Sequence, residues 1–228
     1  MRGHNNDPLE TRSLCDDREG RLGQGRHNVR GDIDFWFTTG STYTYLSVMR
    51  LPEIARATGL NFRWRPFNLR VLFDEVKYFP FPAGSPKLAY MWQDLERRAS
   101  KYGIPAKLPA PYPLADSLLS NLVALVGMRE GWGIDYVRAS YRRWFQLGLP
   151  SGVEPNLSES LKEVGQEAGR VIALAKSDEI RRALVSETDR ARSTRLFGSP
   201  SFVVDGQIFW GDDRLEDAVS WAQHGRVS

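Results

Sequence analysis

The alternation of apolar and polar positions first becomes regular near Asp32. Ile33 to Phe37 is a run of β-branched and aromatic residues and predicts a strand. Tyr43 to Ala57 carries apolar residues at helical spacing (Tyr45, Leu46, Met49, Ile54, Ala57), and Gly59 stands where a helix C-cap belongs. Asn61 to Phe67 alternates as a second strand. Strand, helix, strand in this order predicts a βαβ unit with parallel strands. The middle of the chain is helical in period: Pro86 to Lys101, Leu114 to Arg129 and Ile134 to Phe145 carry apolar stripes. Asn156-Leu157-Ser158-Glu159 has the spacing of a capping box that starts a further helix, and Ser177 to Leu196 is charged but periodic. Ser201 to Val204, the turn pair Asp205-Gly206 and the strand after it predict a hairpin, closed by a helix from Asp213 to about Ala222. The pattern is a βαβ half, a helical insertion at about 85–176 and a ββα half.

Residues 1–30 are different. Arg, Asp, Glu, Gly and Asn dominate there, with almost nothing apolar to bury, so a disordered extension is expected, followed by one domain over 31–228. This segment lacks the apolar stretch of a secretory signal and is too acidic for a typical mitochondrial presequence.

Composition narrows the chemistry. The chain has 228 residues, 41% apolar and 26% charged, within the ordinary globular range. Net charge is only +3, with arginines interleaved among acids, so a nucleic-acid partner is not expected. No apolar run is long enough for a bilayer helix, so no membrane partner is expected either. Cys15 is the single cysteine. It rules out an internal disulfide, a Cys-x-x-Cys redox pair and a cysteine-based zinc site. The three histidines, His4, His27 and His224, lie near the termini, which argues against a histidine metal site or a Ser-His-Asp triad. The expected compartment is the cytoplasm.

Two segments carry the candidate chemistry. In the first, Phe35 to Leu46, Ser41 follows Gly40 at a strand-to-helix turn. Unpaired N–H groups and the positive end of the dipole at a helix start stabilise an anion. A serine hydroxyl there can hold a thiolate by a hydrogen bond but cannot form a disulfide. It can equally be a simple N-cap. In the second, Phe197 to Leu215, Pro200 opens a strand. A cis Ser199–Pro200 bond would turn the Ser199 backbone toward an extended peptide ligand; an ordinary edge-strand proline is the other reading. Asp212 and Asp213 precede the last helix, where acids are favoured by the dipole and where one carboxylate could hold a ligand ammonium group. Lys87 could meet a ligand carboxylate or be a solvated charge.

Taken jointly, these segments resemble the 2-hydroxychromene-2-carboxylate isomerase family, which is similar to kappa-class glutathione transferases within the DsbA-like thioredoxin superfamily. The resemblance covers Asp32 to Leu215 and the last helix. It rests on Phe35 to Leu46, Lys87 to Leu95, Tyr102-Gly103-Ile104-Pro105 and Phe197 through Leu215. It implies an α/β thioredoxin-like fold with a large helical insertion and a glutathione-dependent isomerase. Ser41 matches the serine that activates the glutathione thiol, and Ser199, before Pro200, the residue that pairs with its cysteinyl part. Asp212 and Asp213 match the pair at the γ-glutamyl end, Lys87 a basic residue near the glycine carboxylate, and Tyr112 an aromatic residue near the substrate. The implied partners are glutathione and a conjugated or aromatic small molecule, and a homodimer is plausible. The chain departs from the family pattern at Thr38-Thr39 (usually Asp-Phe), Gly40, Thr42 (usually Pro), Tyr78 (an asparagine) and Phe73 (a lysine in some isomerases). Two further readings stay open, a glutathione transferase that releases a conjugate and a non-catalytic binding protein.

Overall fold

The computed structural model describes residues 31–227; the expectation for residues 1–30, and Cys15 with them, lies outside these. The first strand, β1 (Ile33–Phe37), is buried along almost its whole length, as its continuous apolar sequence requires of a central strand. It leads through a turn into α1 (Thr44–Thr58), which ends on Gly59 in the left-handed region (φ 70°), and then into β2 (Phe62–Pro66). β2 pairs parallel with β1, with Ile33 opposite Phe62.

Seven helices follow: α2 (Leu69–Glu75), α3 (Pro86–Lys101), α4 (Ser117–Glu130), α5 (Gly133–Leu147), α6 (Asn156–Glu163), α7 (Ala168–Ala175) and α8 (Asp178–Ser193). The bounds of α3 are those its sequence predicts. Ser85 accepts from the Leu88 N–H as N-cap, and Pro86 sits at the first helical position. α2 and α7 are short helices absent from the sequence expectation. The capping box at Asn156 does not form. Glu154 accepts from the Ser158 N–H (3.1 Å) instead, while the buried Asn156 amide donates to the carbonyls of Ser140 and Leu149.

The chain returns to the sheet as β3 (Ser201–Val204) and β4 (Gln207–Trp210). Asp205 and Gly206 both have positive φ (49° and 78°), the backbone that a two-residue hairpin matching the strand twist demands. A 3₁₀ turn (Asp212–Arg214) and α9 (Leu215–His224) close the fold. The sheet order is β2-β1-β3-β4, with β1 and β3 antiparallel. This is a mixed α/β thioredoxin-like fold. Phe35, Phe37 and Phe202 stack on one face of the sheet, at 5.2 and 5.3 Å between ring centres. Trp36 and Val203 pack on the other with Phe67, Leu69, Leu72 and Leu196. No helix among the described residues is long and apolar enough to cross a membrane.

Candidate active site

Because β1 and β3 are neighbours, the residues that follow β1 and those that precede β3 lie side by side. The turn Thr38–Tyr43 and the loop Phe197–Pro200 thus meet at one end of the sheet, although more than 150 residues separate Ser41 from Ser199. The Ser199–Pro200 bond is cis. Pro200 leads into β3, an interior strand of the sheet, so the edge-strand reading does not hold.

Ser41 is not the N-cap of α1. The helix begins at Thr44, and Tyr43 occupies the cap position without a side-chain bond. The Ser41 hydroxyl instead donates to the carbonyl of Ser199 at 2.7 Å. The Ser199 hydroxyl accepts from the Thr38 N–H at 3.0 Å and lies 2.8 Å from the Thr44 hydroxyl. The serine pair therefore laces the two loops together.

Two residues that the sequence pattern did not single out hold this turn from beneath. Asn121 of α4 is 1% exposed. Its Oδ1 accepts from the Thr39 N–H (2.8 Å) and the Thr39 hydroxyl (3.0 Å), and its Nδ2 donates to the Thr38 hydroxyl (2.9 Å) and the Phe67 carbonyl (3.3 Å). The available signal was a lone asparagine inside the apolar run from Leu118 to Val126. Tyr141 of α5 places its hydroxyl 3.0 Å from the Thr38 carbonyl and 2.9 Å from the Ser41 carbonyl, with one proton to share between them. Burial pushes that phenol well above its ordinary range. Gly40 is what lets α4 approach: a Cβ there would lie 2.9 Å from the Ser117 Cβ.

The two aspartates divide. Asp212 is almost fully buried, and its oxygens accept from the Ser47 hydroxyl (2.9 Å) and from Arg50 (3.2 Å). Burial raises its pKa, and the Arg50 charge pulls it back. Arg50 also lies over the Tyr102 ring at 3.8 Å and pairs with Glu216. Asp213 is more open, 3.6 Å from Arg98 and 3.2 Å from Arg214. Arg98 in turn pairs with Asp94 (3.0 Å), which accepts from the Tyr43 phenol at 3.1 Å.

Ser41, Ser199, Pro200, Asp212, Asp213 and Arg98 border one cavity of about 990 Å³, while Asn121, Tyr141 and Arg50 stand behind its wall. Lys87 and Tyr112 border it too. The Lys87 ammonium donates to the Tyr78 hydroxyl at 2.9 Å and lies over the Tyr78 and Phe81 rings. Tyr112 meets Phe81 and Trp92 edge-on, at 6.3 and 6.2 Å. Its phenol is raised by burial and lowered in part by the charge of Arg70. Tyr78 packs edge-on against Phe73 at 5.2 Å, so the two departures from the family pattern form one aromatic wall. One end of the cavity is polar and hydroxyl-rich, and the other is aromatic with cations at its rim. Such a space can orient a flexible polar ligand beside a flat apolar one.

A family model, the DSBA-like thioredoxin domain, matches residues 32–221. A 2-hydroxychromene-2-carboxylate isomerase of Sphingobium xenophagum is 31% identical over 195 residues, which span 83% of this chain and 96% of that protein. A glutathione S-transferase kappa 2 of Caenorhabditis elegans is 24% identical over 203 residues, 83% of this chain and 90% of that protein. The solved structure of a 2-hydroxychromene-2-carboxylate isomerase superimposes with a TM-score of 0.70 at 25% identity, covering 81% of this chain and 91% of that one.

Proposed function

We propose that this chain, which belongs to the DSBA-like thioredoxin family and within it to the group of 2-hydroxychromene-2-carboxylate isomerases and kappa-class glutathione transferases, is a glutathione-dependent isomerase of conjugated aromatic compounds. The relatives bear the names of enzymes. The observation that carries the reading is the Ser41 hydroxyl 2.7 Å from the carbonyl of Ser199, beside cis-Pro200, on the wall of a cavity with an aromatic far end.

The donor set suits glutathione. When bound, glutathione supplies the nucleophile, a thiolate that adds reversibly to a conjugated double bond and so frees it to rotate. Ser41 has one O–H to give. Turned from the Ser199 carbonyl to a thiol sulfur, it favours the ionised form by a hydrogen bond. Each pKa unit of that preference needs ~1.4 kcal/mol. The carbonyl it leaves is then open to a ligand backbone N–H. Asp213, with Arg98 and Arg214 beside it, offers both signs of charge to the γ-glutamyl ammonium and carboxylate. Asp212 serves that end indirectly, by fixing α1 to the turn through Ser47 and Arg50. Lys87 faces the glycyl carboxylate, and Tyr112 with Phe81 receives the aromatic substrate, Trp92 backing the Tyr112 ring. Asn121 and Tyr141 keep the Ser41 turn in place, which is the proximity contribution.

Calorimetric titration with reduced glutathione, on wild type and Ser41→Ala across pH, tests this reading. Wild type should bind with proton release near neutral pH, and Ser41→Ala should lose that release. Absence of binding by wild type would overturn it. The kappa-class relative favours a second reading, transfer with release of a stable thioether, which product analysis separates from return of free glutathione.

A further inference from the structure

The cations bordering the cavity fall into two groups. Arg98, Arg192 and Arg214 each hold carboxylates: Asp94 and Asp213, Glu75 and Asp189, Asp213 and Asp217. Lys87 is engaged by Tyr78. Arg70 and Arg195, both exposed, make no ion pair with any described residue.

Arg70 stands in a particular place. It is the second residue of α2, and Phe73 follows three positions later on the same side of that helix. Phe73 leads by edge contact to Tyr78, and Phe81 and Tyr112 continue the aromatic surface, with Trp92 packed against Tyr112. Arg70 and Tyr112 border the same cavity, and the Arg70 charge acts to lower the Tyr112 phenol. An unpaired guanidinium next to apolar walls is a poor place for a neutral ligand to gain anything. An acid held there gains a charge-assisted bond, in a fork geometry that suits a carboxylate.

We propose that Arg70 is a specificity-determining residue of the aromatic end of the cavity, selecting compounds whose aromatic ring itself carries an acidic substituent. This rests on the reading of that end as the place of an aromatic substrate. It does not depend on the glutathione chemistry at Ser41. The ring lies among Phe73, Phe81 and Tyr112, and its acidic group reaches out to the first turn of α2.

The test is direct binding, without glutathione, of two probes that differ only in the ring substituent: benzylideneacetone and its 4-carboxy derivative. Titration calorimetry on wild type should show the acid bound about tenfold more tightly than the neutral ketone. Arg70→Met should bring the ratio to within about twofold, and Arg70→Lys should keep an intermediate ratio because it retains the charge without the fork. Arg195→Gln, at the other unpaired guanidinium, should leave the ratio as in wild type. The proposal fails if wild type shows no preference, if Arg70→Met keeps it, or if Arg195→Gln abolishes it. Loss of glutathione binding with the preference intact would sink the isomerase reading and leave this one standing.

Discussion

Replacing Asn121 by alanine cuts the tie between α4 and the turn that carries Ser41. The Thr39 N–H, 2.8 Å from Oδ1, loses its partner inside the protein, and a buried orphan donor costs about 1–3 kcal/mol. The Thr39 hydroxyl can fall back on the Ser117 carbonyl at 3.3 Å, so it adds little. The Thr38 hydroxyl and the Phe67 carbonyl each lose a donor, the second from a long bond of 3.3 Å. The space left by the carboxamide adds a smaller amount. The sum is about 3 kcal/mol. With a urea slope of about 2–3 kcal/mol per molar, the unfolding midpoint should fall by about 1 M. Tryptophan fluorescence against urea measures it, with the slope checked for constancy. A double-mutant cycle with Thr38→Val should return a coupling of about 1 kcal/mol for the Asn121–Thr38 bond. A midpoint shift below about 0.3 M at constant slope, or no coupling, would refute the claim that Asn121 anchors this turn.

Two other outcomes bear on buried charge. Arg50→Met leaves the Asp212 carboxylate with Ser47 as its remaining side-chain donor and should cost about 3–5 kcal/mol at neutral pH. Burial already holds the folded pKa of Asp212 above its unfolded value, so the stability linked to its proton is present at low pH and lost as pH rises through the folded pKa. The cost of Arg50→Met should therefore shrink in urea titrations at acid pH, and an equal cost at both ends of the range would contradict the pairing. Tyr136 and Tyr141 are raised by burial in the same sense, so each should lower stability by about 1.4 kcal/mol per pH unit above pH ~10. Absorbance at alkaline pH should show these two phenols ionising only with unfolding; ionisation in the folded chain would overturn their assignment as buried.

Local chemistry made much of this fold legible in the sequence. The hairpin was readable because only residues such as Asp205 and Gly206 accept positive φ in succession. The limits of α3 were readable because Ser85 and Pro86 carry the start signal in their own side chains. At Asn156 the same kind of signal misled, since a distant demand, the carbonyls of Ser140 and Leu149, claimed the side chain first. α2 escaped notice because seven residues give too little periodicity to read. The site residues divide along the same line. Ser41 and Ser199 stood out by position, but the bond between them is a contact across the sheet that no local pattern encodes. Asn121 and Tyr141 sit in apolar helix stripes, where their polar atoms answer to a turn a hundred residues or so away.

The antiparallel pairing of β1 with β3 also sets an order in time. A ribosome completes β1 and β2 early, then makes all of α2 to α8 before the first residue of β3 emerges. At ~5–20 residues per second, that interval is about seven to twenty-seven seconds. Through it, one edge of β1 has no strand to pair with, and such an edge invites association between chains. Ser41 likewise waits for the Ser199 carbonyl until synthesis is nearly over. The nascent protein can thus build its helices while the two loops that form the candidate site are still apart.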